Sequence, residues 1–211
     1  MKKNNIQENM WIGQFGDSYS KRNIVTPEKV DDCKYIFKKI FSKVKTKEIN
    51  RVLEVGCNLG RNLIALKKLL DCECFGVEPN RYAREKLKKL KNFKDQNIVD
   101  AFADNIPFEN ELFDLVFTSV VLIHIPNNKI NNCLDEIFRL SKKYILTIEY
   151  FSPEYQEIIY RGEKKLLFKR DYGTLFMDRF KNLDLVDYGF FWKRVTTQDN
   201  VNWWLFKKKL K

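Results

Sequence analysis

Between positions 51 and 150 the apolar residues switch repeatedly between a strand-like and a helix-like rhythm. Arg51–Val55 is a short apolar run that ends at a glycine turn, which predicts a strand buried on both faces. Leu63, Leu66, Leu69 and Leu70 follow at helical spacing. Cys74–Val77 predicts a second strand, and Asn80 is placed to cap a lysine-rich helix with Tyr82, Ala83, Leu87 and Leu90 on its inner face. Ile98–Ala103 reads as a third strand and Asp114–Thr118 as a fourth. Ile130, Leu134, Ile137 and Phe138 mark an amphipathic helix before a fifth strand, Tyr144–Tyr150. Strands alternating with helices of this length predict an α/β fold, a parallel sheet with helices on both faces.

The flanks read differently. Thr26 followed by Pro27 starts a helix that Val30, Cys33, Ile36, Phe37, Ile40 and Phe41 continue. Beyond Tyr150 a charged segment runs through Asp171. Leu185–Phe191 and Val201–Phe206 then predict two antiparallel strands that close the sheet. No repeat or linker interrupts the chain, so one domain is expected over residues 1–211.

Composition narrows the classes. With 44% apolar and 14% aromatic residues in 211, the chain has the material for a core, and disorder is excluded. One histidine and no Cys-x-x-Cys leave no obvious zinc or haem site. Five scattered cysteines (Cys33, Cys57, Cys72, Cys74 and Cys133) suggest a reducing, cytoplasmic setting, with Cys72-x-Cys74 read as packing. Met1–Asn5 is rich in Lys and Asn, and no apolar region follows it, so no signal peptide is expected. The longest apolar stretch, Val116–Ile125, falls far short of the roughly 20 residues that span a bilayer. The net charge of +11 calls for an explanation: nucleic acid, membrane surface or an acidic small molecule.

The candidate chemistry starts at Val52-Leu53-Glu54-Val55-Gly56-Cys57-Asn58-Leu59-Gly60-Arg61-Asn62. A strand enters a turn with two glycines, and the helix behind it presents free N–H groups. Glu78, 18 residues past Gly60, ends the second strand, where a carboxylate can accept both hydroxyls of a ribose. Asp104 follows the third strand and could bond an adenine amino group. The dinucleotide fingerprint Gly-x-Gly-x-x-Gly is not met, because Asn58 and Arg61 stand at its later glycines.

The turn instead resembles motif I of the class I S-adenosylmethionine-dependent methyltransferases, Glu-x-Gly-x-x-x-Gly, with Asn58 at the usual middle glycine. Pro107–Val116 resembles that family's run into its fourth strand. The resemblance implies a Rossmann-like, seven-stranded, mostly parallel sheet with helices on both faces and an antiparallel C-terminal strand pair. It implies S-adenosylmethionine as cofactor, S-adenosylhomocysteine as product, and no metal. Gly56, Cys57 and Gly60 would approach the methionine part, Glu78 the ribose and Asp104 the adenine. Asn105 and Ile106 would flank the base, Ser119 and Val120 would lie beneath the sulfonium, and Glu54, Asn58 and Pro79 complete the set.

Outside the core, Met10–Asn23, Val121–Ile125, Tyr160-Arg161-Gly162, Phe168–Asp171, Val186–Phe190 and Trp203–Phe206 resemble the pseudaminic acid biosynthesis-associated methylases. That family sits in bacterial surface-sugar gene clusters. The resemblance implies methyl transfer to oxygen of a small acidic, sugar- or phosphate-bearing intermediate of capsule or surface glycan, phosphoramidate acceptors included. On this reading residues 1–45 are an N-terminal flap and helix, 50–150 the cofactor-binding core, and 151–211 an acceptor-side insertion with the closing strands.

The residues can also be read without the family. Trp11, Phe15 and Tyr19 recur every four positions around Gly13 and Gly16, which suits an aromatic flap over a site; the alternative is an N-terminal helix packed on the core. Arg22, Arg161, Lys169 and Arg170 are the cations expected near an acidic acceptor, with Tyr19, Glu149 and Tyr150 lining its pocket. The Lys67-Lys68, Lys88-Lys89 and Lys207–Lys209 runs read as solvated surface. His124 is the candidate general base, with Tyr19 beside it; the alternative is a structural histidine bonded in the loop before Pro126. An acceptor oxygen that is already anionic would need no base. A nucleic-acid methyltransferase is the rival that the charge suits, but Thr118-Ser119-Val120-Val121 lacks the Asn/Asp-Pro-Pro-aromatic motif of amino-methylating enzymes. Neither nucleic acid nor membrane insertion is expected as a partner, and a non-enzymatic cofactor-binding scaffold is the remaining alternative.

Overall fold

The computed structural model describes residues 5–196 and 198–209, so most of the amino-terminal Lys/Asn stretch lies outside the described residues. Five strands follow the expected order: β1 (Arg51–Val55), β2 (Glu73–Val77), β3 (Ile98–Val99), β4 (Phe113–Ser119) and β5 (Ser141–Glu149). Seven helices accompany them: α1 (Ile6–Ile12), α2 (Gln14–Arg22), α3 (Pro27–Ile40), α4 (Arg61–Leu70), α5 (Arg81–Lys89), α6 (Asn127–Leu140) and α7 (Tyr172–Arg179). The remaining strands are β6 (Gln156–Tyr160), β7 (Glu163–Lys169), β8 (Leu183–Phe191) and β9 (Val201–Lys208).

The sheet order is β3-β2-β1-β4-β5-β9-β8. Pairings among β1 to β5 are parallel, and β9 runs antiparallel to both β5 and β8. This is the Rossmann-like seven-stranded sheet that the motif implied. Strand order reverses between β1 and β4, and in such sheets ligands bind at the carboxyl ends of the strands beside that switch.

Neighbouring residues of one strand serve opposite cores, as the alternation of a pleated strand demands. Val52, Leu115, Leu146 and Leu205 face α3 and α4, packing with Ile36, Phe37, Ile40, Leu63 and Leu66. Leu53, Val116, Ile145 and Phe206 face α6 and α7, packing with Leu134, Ile137 and Phe176. Both faces are covered, which is why the strands read as unbroken apolar runs. The caps match the sequence: Thr26 Oγ1 accepts from the Lys29 N–H at the start of α3, and Asn80 Oδ1 accepts from the Ala83 N–H at the start of α5.

Three elements depart from expectation. The third strand stops at Val99; residues beyond it form a turn closed by a bridge between Phe102 and Asn105. The charged segment after Tyr150 contains the hairpin β6–β7, a separate two-stranded sheet. α7, capped by Asp171, then packs Tyr172 and Phe176 into the core. Glu149 does not line a pocket. Its carboxylate is fully buried and accepts from the N–H groups of Val121, Leu122 and Ile123, fixing the turn after β4. Burial pushes its pKa up to about 7 against those hydrogen bonds.

Candidate active site

A cavity of about 420 Å³ opens over the carboxyl ends of β1, β2 and β4. Of the expected cofactor residues, Glu54, Gly56, Cys57, Asn58, Glu78, Pro79, Asp104, Ser119 and Val120 line it.

The glycine turn is built around Glu78. The Asn58 N–H donates to its Oε2 and the Asn80 N–H to its Oε1, each at 2.8 Å. Each oxygen keeps a lone pair for a hydroxyl, and the two together match a ribose diol. Burial pushes this carboxyl up to about 7, against the pull of the two N–H donors. Asn58 sits at φ 45°, a left-handed conformation that Asn tolerates, so it serves where the motif usually has glycine. Glu54 accepts 2.6 Å from Asn62 Nδ2, while its Oε2 is buried with no hydrogen-bond partner. Burial raises its pKa to about 8. Val120, a β-branched residue on the cavity floor, is held at φ 59°, a strained position of the kind that collects at functional sites.

Gly60, Asn105 and Ile106 do not line the cavity. Gly60 instead lets the start of α4 approach the side chain of Leu87. Asn105 is exposed, and Ile106 is buried in the core with its N–H on Glu136. Because β3 ends early, Ala101, Phe102 and Ala103 take the place beside Asp104 that was expected for them.

The amino-terminal segment covers this cavity as two short helices that meet at Gly13. Trp11, Gly16 and Tyr19 line its roof, and Phe15 packs edge-on against Trp11. Polar contacts tie the roof to the floor, among them a bond from Asn80 Nδ2 to the Trp11 carbonyl oxygen at 3.1 Å. Asn58 Nδ2 donates to Ser20 Oγ at 3.0 Å, Asn80 Nδ2 donates to Asp17 Oδ1 at 2.8 Å, and Lys129 joins Glu8 to Asp104. Gly16 permits this closeness, since a Cβ there would lie 2.8 Å from Asn80 Nδ2 on the floor, as well as 1.9 Å from the Trp11 carbonyl oxygen within the roof.

His124 also lines the cavity. Its Nδ1 meets the Leu166 carbonyl oxygen at 2.5 Å, so Nδ1 carries the hydrogen and Nε2 the lone pair. The ring packs at a tilt of 55° against Trp11, at a centroid distance of 4.5 Å. Burial pulls its pKa down to about 4. The Nδ1 bond ties the ring to β7, not within the loop before Pro126 that the structural alternative named. Tyr19 is pushed up to about 12, chiefly by burial, and keeps its proton at neutral pH. His124 should therefore show no NMR titration between pH 5.5 and 8. An unfolded histidine, at about 6.5, binds more protons over pH 4 to 6.5, so His124 removes stability as pH falls through that window. Urea denaturation of His124→Gln should show a flatter loss of stability from pH 6.5 to 4.5 than the parent protein.

None of the four expected acceptor cations lines the cavity. Arg22 is exposed at the end of α2. Arg161 is exposed at the tip of the β6–β7 hairpin, over the Tyr160 ring. Arg170 is 6% exposed, roofed by Tyr155 and bonded to Asn127 Oδ1 at 3.0 Å. Lys169 lies over the ring of Tyr150, which does not line the cavity either; the Tyr150 hydroxyl reaches Asp199, which does. Isolated cations next to aromatics are as useful for packing as for binding, and here the rings hold them elsewhere. The sequence reading missed Arg61, Asn80, Lys129, Gln198 and Asp199, all on the cavity wall. The last two come from the β8–β9 loop, which no local motif connects to the glycine turn.

Residues 53–144 match a family model described as a methyltransferase domain. The fold is that of the class I methyltransferases. The solved 1,6-didemethyltoxoflavin-N1-methyltransferase of Burkholderia thailandensis, with bound 1,6-didemethyltoxoflavin and S-adenosylhomocysteine, superposes with a TM-score of 0.73 at 13% identity. The match covers 100% of this chain and 93% of that one. An uncharacterized protein of Haemophilus influenzae is 31% identical over 96 residues, 44% of this chain and 38% of its own. The sterol 24-C-methyltransferase erg6 of Schizosaccharomyces pombe is 27% identical over 131 residues, 54% of this chain and 33% of its own. The chain thus spans less than two fifths of the length of these two relatives.

Proposed function

We propose that this chain transfers a methyl group from S-adenosylmethionine to an oxygen of a small, sugar-bearing acceptor. One observation carries the cofactor: Glu54 near the end of β1, Glu78 just after β2 and Asp104 in the turn beyond β3 line a single cavity beside a glycine turn. The residues fit the group. Glu78 offers two fixed acceptor oxygens for the ribose hydroxyls. The partnerless, buried Oε2 of Glu54 suits the ammonium of the methionine part, and Arg61 on the same wall suits its carboxylate. Asp104 suits the adenine amino group.

S-adenosylmethionine supplies a methyl group that its sulfonium has already activated. The protein's own task is to align the acceptor and keep water away. The roof of α1 and α2 excludes solvent, and the protonated Tyr19 hydroxyl is available to orient the acceptor. The surface-glycan setting rests on the resemblance of the terminal segments. The acidity of the acceptor rested on Arg22, Arg161 and Arg170, which lie off the cavity, so a neutral sugar portion is the better-supported part of that reading. The test is a methyl-transfer screen with isotopically labelled donor against nucleotide sugars and phosphorylated glycan precursors, read by mass spectrometry. A labelled sugar product is expected; labelled RNA in place of any small molecule would contradict the reading.

A further inference from the structure

Asp199 is a cavity-wall residue that no motif predicted. It sits on the β8–β9 loop, above the ends of β4 and β5, and its side chain is 53% exposed at the mouth. Two neighbours fix its orientation. The Tyr150 hydroxyl donates to Oδ2 at 2.7 Å, and Lys193 Nζ donates to Oδ1 at 3.2 Å. Tyr150 follows β5 directly, and β5 pairs with β4 through Ile148 and Ser119. The carboxylate is thus anchored on the wall of the cavity that Ser119 and Val120 also line, where the reactive methyl is expected, and each oxygen keeps a lone pair.

We propose that Asp199 is a catalytic residue that receives the proton of an acceptor hydroxyl, so that the methylated atom is a neutral O–H oxygen of a sugar and not a phosphate or carboxylate oxygen. This rests on the methyltransferase reading of the cavity. An anionic oxygen has no proton to share with Asp199 and would meet it as like charge against like. Lys193 balances the carboxylate from outside the cavity, and Arg61, assigned above to the methionine carboxylate, attracts it from the cavity wall. Tyr150 and Lys193 are positioning residues for it.

The step balances. The new carbon–oxygen bond forms at the acceptor and the carbon–sulfur bond breaks, its electron pair staying on sulfur as a thioether. The hydroxyl proton ends on Asp199. Burial raises the Asp199 pKa, but Tyr150, Lys193 and Arg61 outweigh it and hold the group below the usual carboxylate range. Such a weak base suffices, because a hydroxyl that has gained a methyl is an oxonium, a far stronger acid than any carboxylic acid.

The test uses the full chain saturated with S-adenosylhomocysteine, titrated with neutral methyl hexosides by saturation-transfer NMR. The wild type should bind at least one hexoside, inorganic phosphate and acetate should not displace it, and Asp199→Ala should weaken it about 10-fold. Asp199→Asn should lower turnover of an accepted hexoside roughly 100-fold at unchanged homocysteine-product affinity, with Tyr150→Phe intermediate. Displacement by phosphate or acetate, hexoside binding unaltered in Asp199→Ala, or no hexoside bound would each overturn the proposal. Failure of the wild type to bind S-adenosylhomocysteine would instead overturn the cofactor reading beneath it.

Discussion

Glu78→Ala should weaken binding of S-adenosylhomocysteine by more than about 100-fold, the largest loss expected of any single site residue. Hydrogen bonds to a charged group contribute about 1.5–3 kcal/mol each, and two ribose hydroxyls would lose theirs together. The same change leaves the Asn58 and Asn80 N–H groups without their acceptor. Those two groups hold the glycine turn and the start of α5, so a modest fall in thermal stability should accompany the loss. Calorimetric titration and a melting curve on the same sample separate the two effects. Binding within about threefold of wild type would place the ribose elsewhere.

Gly60→Ala should act on stability first. Gly60 adopts φ 73°, which costs an L-residue about 1–2 kcal/mol. A Cβ there would also lie 2.4 Å from Leu87 Cδ1, and Leu87 is fully buried. Overpacking of this kind costs about 1–3 kcal/mol. Together these predict about 2–5 kcal/mol and, at roughly 2–4 °C per kcal/mol for a chain of this size, a melting point lower by about 4–20 °C. Differential scanning calorimetry measures it directly. An unchanged melting point with lost cofactor binding would return Gly60 to the ligand-contact role first expected of it.

The contrast between these two residues marks how much of the site could be read from sequence. Glu78 was legible because its place depends on local order alone: an apolar strand, a glycine, then an acid at the strand's end. Gly60 was legible as a turn glycine, but its partner Leu87 lies on the next helix, so its purpose was not. The sheet was legible for the same local reason, since strands buried on both faces leave continuous apolar runs. β6 and β7 were hidden because much of their surface is exposed and their residues read as charged loop. Arg170 looked like a ligand cation until the rings of Tyr155 and Tyr172 closed around it. Asp199 was invisible because it reaches the cavity only after β8 and β9 have paired across the end of the sheet.

The roof helices connect fold to function. Ser20, Asp17 and Glu8 each reach a different part of the floor: the glycine turn, the start of α5, and the Lys129–Asp104 pair. These are the places assigned to methionine, ribose and adenine. A ligand that fills the cavity therefore touches every element to which the roof is tied.

The account stands on the cavity being an S-adenosylmethionine site, and titration calorimetry with S-adenosylhomocysteine tests this most directly. It predicts one-to-one binding by the wild-type chain and its loss in Glu78→Ala. No binding by the wild type, or equal binding by the variant, would contradict it.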